Sequence, residues 1–210
     1  MRLRTRLAVL VCKASGAVLR KLGRGGTNLP GKLALKIDKN ILGELSRGVK
    51  VTVVTGTNGK TTTSRMIEQA FADAGLKYFS NKSGANLLTG IIAVFAQHAT
   101  LSGKCPYTHA LIECDEAAFR DQLDRYGEIT HTLNAIREGI THVPNATLCL
   151  NADCSLTASL AEDGIPNPII RFGVNVPIYS ETAHELSDAV YCIHCKTQYE
   201  YDYRTYGHLG

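Results

Sequence analysis

Residues 51–63 of this chain read Val-Thr-Val-Val-Thr-Gly-Thr-Asn-Gly-Lys-Thr-Thr-Thr, and this stretch decides the fold. Its first residues are apolar and β-branched, which predicts a strand that ends at a glycine turn. The residues that follow place apolar side chains on one face at helical spacing, namely Met66, Ile67, Ala70, Phe71 and Ala74. Strand, glycine loop and helix in this order form the context in which a loop binds phosphate groups.

The loop itself contains the residue types that phosphate binding requires. Gly56 and Gly59 allow consecutive backbone N–H groups to turn toward an anion, and the following helix directs its positive end the same way. Lys60 supplies a charge for the terminal phosphates of a nucleotide, and the Thr61 hydroxyl is placed to bind Mg²⁺. Gly56 lies only four residues before Lys60, closer than the first glycine of the common motif, so this loop is shorter than the common form.

Residues 55–62, Thr-Gly-Thr-Asn-Gly-Lys-Thr-Thr, resemble the ATP loop of the Mur ligase superfamily. Its members join an amino acid or ammonia to a carboxylate through an acyl phosphate. Further stretches narrow the resemblance to the MurT family, the ligase subunits of lipid II isoglutaminyl synthases; these are residues 23–38, 83–86, 120–128 and 151–153. The resemblance runs from about residue 1 to residue 210 and implies an ATP-dependent carbon–nitrogen ligase of cell-wall synthesis.

The resemblance also implies roles for individual residues. Nucleotide-binding roles fall on Gly56, Thr57, Asn58, Gly59, Lys60, Thr61, Thr62 and Asn151, the last as a contact to adenine. Mg²⁺ is expected on Thr61, Ser83 and Glu113, and Lys60 and Glu113 are the expected catalytic residues.

The residues alone leave alternatives open for three of these positions. Glu113 could instead be an exposed acidic residue at the start of a helix, although this interpretation suits Asp115 and Glu116 better. Ser83 could instead be a turn residue whose hydroxyl forms hydrogen bonds with nearby backbone groups. Asn151 could instead form an Asx turn.

The implied reaction is phosphorylation of the α-carboxylate of D-glutamate in the lipid II stem peptide, followed by amidation to D-isoglutamine. A GatD-type glutamine amidotransferase subunit is the implied source of ammonia.

Two other interpretations stay open. One is another Mur-type ligase, such as a muramyl-peptide or folylpolyglutamate synthase, against which residues 23–38 and 192–210 argue. The other is an ATP-binding fragment without ligase activity, and we expect these 210 residues alone to be inactive.

Cys192-Ile-His-Cys195 is half of a Cys-x-x-Cys zinc ribbon. Tetrahedral zinc needs four ligands, and the resembled family carries a second Cys-x-x-Cys shortly after the stretch that corresponds to residues 206–210. Cys192 and Cys195 are therefore candidate zinc ligands of an incomplete site. Two free thiols are the preferred interpretation for this chain as it stands.

Composition is that of an ordinary globular protein, with 44% hydrophobic and 20% charged residues. A net charge of +4 suits phosphate binding but does not indicate nucleic acid. No apolar run approaches the ~18–20 residues of a membrane span. Seven cysteines, an odd number with one close pair, do not form a secreted disulfide pattern and favour the cytoplasm.

The N-terminal segment has a basic start and a short apolar run, as a signal peptide does. That run is only about six residues long, so we prefer a docked helix. Its predicted buried stripe consists of Leu7, Leu10, Val11, Ala14, Val18 and Leu22. The lipid nature of the implied substrate adds an expected peripheral contact with a membrane surface.

Strands alternate with helices along the chain, which predicts an α/β fold with a mostly parallel sheet and helices on both faces. The predicted strands are 50–55, 77–80, 110–114, 146–151 and 168–172. The predicted helices are 4–22, 38–46, 60–74, 86–99 and 156–160, with a Gly/Pro-rich connector at 23–31. The predicted domains are an N-terminal helical region at 1–45, an ATP-binding domain at 46–180 and half a zinc ribbon at 181–210.

The interval 115–146 interrupts this alternation, because it contains helical material and no run suited to a buried strand. In the resembled family a helix and a strand separate the segments that correspond to residues 115–118 and 120–124. Here Phe119 is followed directly by Arg120, which predicts an internal deletion and leaves the placement of Gln122 and Asp124 open.

Overall fold

A computed structural model describes residues 2–23, 28–56, 59–81, 85–102, 104–114, 129–162 and 164–173, and residues 192, 195, 197, 198, 204, 205, 208 and 209. Contacts divide the chain into two compact units, Met1–Asp121 and Gln122–Gly210. Among the helices of the described residues, none is long and apolar enough to cross a membrane.

The first unit is a three-stranded parallel sheet with its helices. Its elements are α1 (Leu3–Lys21), α2 (Asn28–Ile37), α3 (Ile41–Leu45), β1 (Lys50–Val54), α4 (Lys60–Asp73), β2 (Tyr78–Ser80), α5 (Leu88–His98) and β3 (His109–Glu113). The strand order is β1–β3–β2, and both pairs are parallel. Val54 is paired with Glu113 in register, so the residues that follow β1 and the last residue of β3 meet at one edge of the sheet.

The two faces of the sheet are covered by different helices. Ala110 and Ile112 of β3 belong to a buried cluster with α5, whose residues 90–96 are all buried. Leu111 points to the opposite face, because side chains alternate along a strand, and it is buried as well. Since α4 contacts β1 and β3, the predicted α/β fold with parallel strands and helices on both faces is confirmed in this unit.

The predicted connector 23–31 is wrong from residue 28 onward, because α2 begins there. Pro30 lies in the first helical turn, where a missing N–H costs no hydrogen bond. Gly31 faces α5 at very close range: a Cβ at this position would lie 1.7 Å from the Thr89 carbonyl oxygen. The proline and the glycine, which indicate a loop in the sequence, are thus the residues that let this helix start and pack.

The predicted docked helix is confirmed as α1, but its predicted buried stripe is wrong. The buried residues of α1 are small, namely Thr5, Ala8, Val9, Cys12 and Gly16. The large residues of the predicted stripe lie largely in solvent, with exposed fractions of 52% for Leu7, 51% for Leu10, 56% for Val18 and 67% for Leu22. Small side chains suit this contact because α1 packs closely against α2.

Two polar contacts fix α1 on the unit. Buried Thr5 donates a 2.6 Å hydrogen bond from Oγ1 to Asp38 Oδ2, and the Lys13 amine donates to the Gln97 carbonyl oxygen at 2.9 Å. These bonds tie α1 to the end of α2 and to α5, so the orientation of the helix about its own axis is determined.

The second unit has its own small core. Its elements are α6 (Ile129–Thr141), β4 (Leu148–Asn151), α7 (Ser155–Ala158) with a 3₁₀ turn (Ser159–Ala161), β5 (Ile169–Phe172), β6 (Arg204–Thr205) and β7 (His208–Leu209). β4 and β5 are parallel, and β6 and β7 are antiparallel. Leu133, Ile140, Leu150 and Leu160 form the buried cluster.

The five predicted strands are confirmed to within two residues, and α6 confirms the helical material expected in 115–146. The junction of Phe119 and Arg120 lies outside the described residues, as do Gln122 and Asp124. The predicted domain limits stay predictions.

Candidate functional site

The site is built around the turn that joins β1 to α4. Gly56 has φ of 143° and Gly59 has φ of 77°, both in the region that favours glycine. Thr57 and Asn58 lie outside the described residues. Because the turn uses positive φ on both sides, the two glycines predicted to shape this loop are required by its backbone.

Lys60 is the first residue of α4, and its side chain folds back over the loop. The amine donates a hydrogen bond to the carbonyl oxygen of Gly56. The N–H of Thr63 bonds to the Gly59 carbonyl oxygen at 2.9 Å, so α4 is regular from its first turn. The N–H groups and the positive end of a fourteen-residue helix therefore face the same loop as the lysine amine.

Thr61 and Glu113 meet at this turn although 52 residues separate them. The Thr61 hydroxyl donates to Glu113 Oε1 at 3.1 Å. The contact joins the first turn of α4 to the last residue of β3, and both side chains are accessible to solvent there. The structure thus brings together the hydroxyl and the carboxylate that the sequence separately assigned to a metal.

Asn81 holds the end of β3 in place, and sequence reasoning missed it. Its Nδ2 donates to the carbonyl oxygens of Glu113 at 2.6 Å and Ala85 at 2.9 Å, and its Oδ1 accepts the Glu113 N–H at 2.7 Å. The side-chain amide acts as one further peptide group at the end of β2, so it continues the parallel ladder by one step. No sequence motif marks this role, because the burial of Asn81 after β2 is visible only in the structure.

Three further site residues were predicted, namely Ser83, Thr62 and Asn151. Ser83 lies outside the described residues, and Thr62 follows Thr61 in the exposed first turn of α4. Asn151 belongs to the second unit, at the end of β4, where its Oδ1 accepts the Asp153 N–H at 3.0 Å. This bond is the Asx turn of the alternative interpretation, and the adenine contact stays a prediction.

The two candidate zinc ligands lie near one another in sequence in the second unit. The Cys192 N–H bonds to the Thr197 carbonyl oxygen at 2.8 Å, and the Cys195 thiol donates to the Thr197 hydroxyl at 3.2 Å. Within the part of the chain that is described, no group of three or more His, Cys, Asp or Glu side chains is placed to hold a metal ion. Zinc binding therefore stays a prediction.

Known proteins show a consistent similarity to this chain. Residues 54–118 match the Mur ligase middle domain. The chain is 38% identical, over its full length, to the lipid II isoglutaminyl synthase (glutamine-hydrolyzing) subunit MurT of Streptococcus pneumoniae R6. It is 34% identical over 97% of its length to the MurT subunit of Staphylococcus aureus COL. The chain is thus similar to these MurT subunits over 97–100% of its own length.

The chain spans about half the length of these relatives, 50% and 48% respectively. The alignment to the pneumococcal subunit covers 229 positions, more than the 210 residues of this chain, so the relative has residues within the matched region that this chain lacks. Among solved structures, MurF from Acinetobacter baumannii matches with a TM-score of 0.51 and 16% identity, covering 72% of this chain and 36% of MurF. That match shows a shared Mur ligase fold.

Proposed function

We propose that this chain supplies the nucleotide-binding part of an ATP-dependent amide ligase that acts on lipid II in peptidoglycan synthesis. The contact of Thr61 Oγ1 with Glu113 Oε1 at the end of the glycine loop supports this proposal most directly. The similarity to MurT subunits supplies the substrate class, because those relatives are subunits of a lipid II isoglutaminyl synthase. We also propose a cytoplasmic location, which the cysteine pattern supports.

The β1–α4 turn is the proposed site for the ATP phosphates. Loop N–H groups and the positive end of α4 would surround them, and the Lys60 amine would exchange its bond with the Gly56 carbonyl oxygen for a γ-phosphate oxygen. Charge that develops on the transferred phosphoryl group is then balanced by a group already next to the loop. Asn151 is proposed as the adenine contact.

The donor set at this turn fits Mg²⁺, which prefers hydroxyl and carboxylate oxygens. Thr61 and Glu113 would hold the ion, with Ser83 as a further oxygen. When bound, it would neutralise charge on the phosphates. The backbone of Glu113 is bonded to the Asn81 side chain through both its N–H and its carbonyl oxygen, so the residue is held at the end of β3.

The proposed reaction has two steps. An oxygen of the D-glutamate α-carboxylate attacks the γ-phosphorus of ATP, and ADP leaves. Ammonia then attacks the carbonyl carbon of the acyl phosphate, inorganic phosphate leaves, and D-isoglutamine is formed. A GatD-type glutamine amidotransferase is the proposed source of ammonia, since the relatives are named glutamine-hydrolyzing.

Cys192 and Cys195 are proposed as two ligands of a structural zinc site. Native mass spectrometry tests this directly. A chain whose native mass includes no zinc ion, and whose two thiols react at full rate with a maleimide, would rule the site out.

Two measurements test the nucleotide and ligase proposals separately. Titration calorimetry of ATP with Mg²⁺ should give binding that Lys60→Ala abolishes, and absence of binding to the unmodified chain would overturn the nucleotide proposal. Incubation with ATP, Mg²⁺, glutamine, a GatD-type subunit and lipid II should then be analysed for isoglutamine. Binding without turnover identifies an ATP-binding part that needs further sequence, which the half-length match favours; isoglutamine formation shows that these residues suffice.

A further inference from the structure

Helix α1 carries a second apolar row that no described residue covers. Leu3, Leu7, Leu10, Val18 and Leu22 recur at spacings of three, four and eight residues, so they share one side of the helix. Each is at least half exposed, from 51% for Leu10 to 82% for Leu3. The buried small residues of α1 lie on the opposite side. Large apolar side chains of α1 and of its C-cap residue Leu22 therefore point into solvent.

The same helix is strongly cationic. The segment 2–23 contains Arg2, Arg4, Arg6, Lys13, Arg20 and Lys21 and no acidic residue. Lys13 is occupied by the Gln97 carbonyl oxygen, and the other five are exposed near the two ends of the helix. Among the described residues, no ion pair involves any of them. An apolar row with cations at both ends and no counter-charge fits a surface of anionic lipid headgroups.

We propose that α1 docks on an anionic bilayer surface, with Leu3, Leu7, Leu10, Val18 and Leu22 in the headgroup region and the terminal Arg and Lys side chains on lipid phosphates. Because α1 is held by its opposite face through Thr5 and Lys13, it can lie on the surface while the unit stays folded. A second copy of this chain fits the row poorly, since pairing two such faces would bring ten like charges together. The proposal stands independently of the ligase assignment, because it needs no lipid II.

Vesicle co-sedimentation of the full 210-residue chain tests the proposal, with vesicles of phosphatidylglycerol mixed with phosphatidylcholine and of phosphatidylcholine alone. We expect binding to the anionic vesicles that weakens with salt, and little binding to the neutral ones. Leu7→Ser combined with Leu10→Ser should weaken binding at least tenfold, or about 1.4 kcal/mol. Arg4→Gln and Arg6→Gln should each weaken it about fivefold. Leu101→Ser, which removes a 61% exposed leucine elsewhere, is the matched control and should leave binding unchanged.

Three outcomes would overturn the proposal. The first is a chain that stays in the supernatant with both vesicle types. The second is a Leu101→Ser variant whose vesicle binding is weakened as much as that of the Leu7 and Leu10 variant. The third is a lipid-free dimer in sedimentation velocity that the Leu7 and Leu10 substitutions dissociate, because the row would then be a contact between copies. Circular dichroism of each variant checks that α1 remains folded, as expected from the exposure of the substituted side chains.

Discussion

The Thr61 hydroxyl and the Glu113 carboxylate lie 3.1 Å apart, on the first turn of one helix and at the end of the central strand of the sheet. Parallel pairing of β1 with β3 explains this proximity, because Val54 and Glu113 are register partners and α4 starts six residues after Val54. The geometry of the candidate site thus follows from the sheet and from the length of one loop.

Replacement of Glu113 by glutamine should separate metal binding from nucleotide binding. We expect ATP affinity in the presence of Mg²⁺ to fall at least about tenfold, because a charged oxygen ligand is lost. Without Mg²⁺ the affinity should stay equal or rise, since a negative charge near the phosphates has been removed. Titration calorimetry with and without Mg²⁺ measures both. Asp73→Asn, at the exposed far end of α4, is the control; equal losses with and without Mg²⁺ would contradict a metal role.

Replacement of Asn81 by alanine should destabilise the first unit. The change leaves the Glu113 N–H, the Glu113 carbonyl and the Ala85 carbonyl without their described partner, which should cost about 2–3 kcal/mol. Urea denaturation measures this change in the free energy of unfolding. Asn40→Ala, at an exposed position, should change it by less than about 0.5 kcal/mol. A result for Asn81 as small as for Asn40 would show that the amide ladder is not needed.

Replacement of Gly31 by alanine should destabilise the fold far more than a glycine-to-alanine change in a helix usually does. The new Cβ would lie 1.7 Å from the oxygen and 2.6 Å from the carbon of the Thr89 carbonyl, and backbone cannot turn aside as a side chain can. We expect a loss of about 3 kcal/mol or more, measured as a lower midpoint in thermal or urea unfolding. Gly43→Ala is the matched control, because nothing lies within 4 Å of its Cβ, and it should stabilise α3 slightly. Similar effects of the two changes would contradict this account.

Cys12 should resist alkylation in the folded chain. Burial raises the pKa of its thiol from the ordinary 9.0 to about 11, with Lys13 opposing the shift, so almost no thiolate forms near pH 8. Mass spectrometry after iodoacetamide treatment should show exposed Cys149 modified and Cys12 unmodified until denaturant is added. Rapid modification of Cys12 in native protein would contradict its burial.

The raised pKa of the Cys12 thiol also predicts that the free energy of unfolding depends on pH. The folded state binds the thiol proton more tightly than the unfolded state, so the stabilising contribution is complete below pH 9 and is lost as the pH rises toward 11. Urea denaturation across this range should show a steeper decline for the unmodified chain than for Cys12→Ala. Parallel declines would exclude a contribution from this thiol.

Local sequence predicted the strands well because each is a short apolar run with a turn after it. The loop and helix of residues 55–73 were equally clear, since glycine conformation and helical spacing are both local properties. Thr61 and Glu113 could be nominated one by one, but only the pairing of β1 with β3 places them in contact. Proximity of this kind depends on register, which no single stretch encodes.

The errors have physical causes of their own. Helix α1 has two apolar faces, and periodicity favoured the one with larger side chains, whereas close helix packing requires the one with Ala8, Cys12 and Gly16. In α2, Pro30 and Gly31 suggested a connector, because both residues usually interrupt helices. Pro30 is compatible with α2 because it lies in the first turn, and Gly31 is needed because the backbone of Thr89 lies so close. Asn81 was missed because an amide that substitutes for a peptide group leaves no sequence motif.

The close approach of Gly31 to Thr89 has a consequence for how homologous sequences of this protein should be interpreted. A position where one added methyl group collides with backbone accepts a single residue type, whatever the protein binds or catalyses. Gly31 should therefore be invariant among homologues that share this helix contact, while Gly43 varies freely. An alignment would present that invariance in the same form as the glycines of the nucleotide loop, and only the three-dimensional contact distinguishes a conserved packing constraint from a conserved binding site.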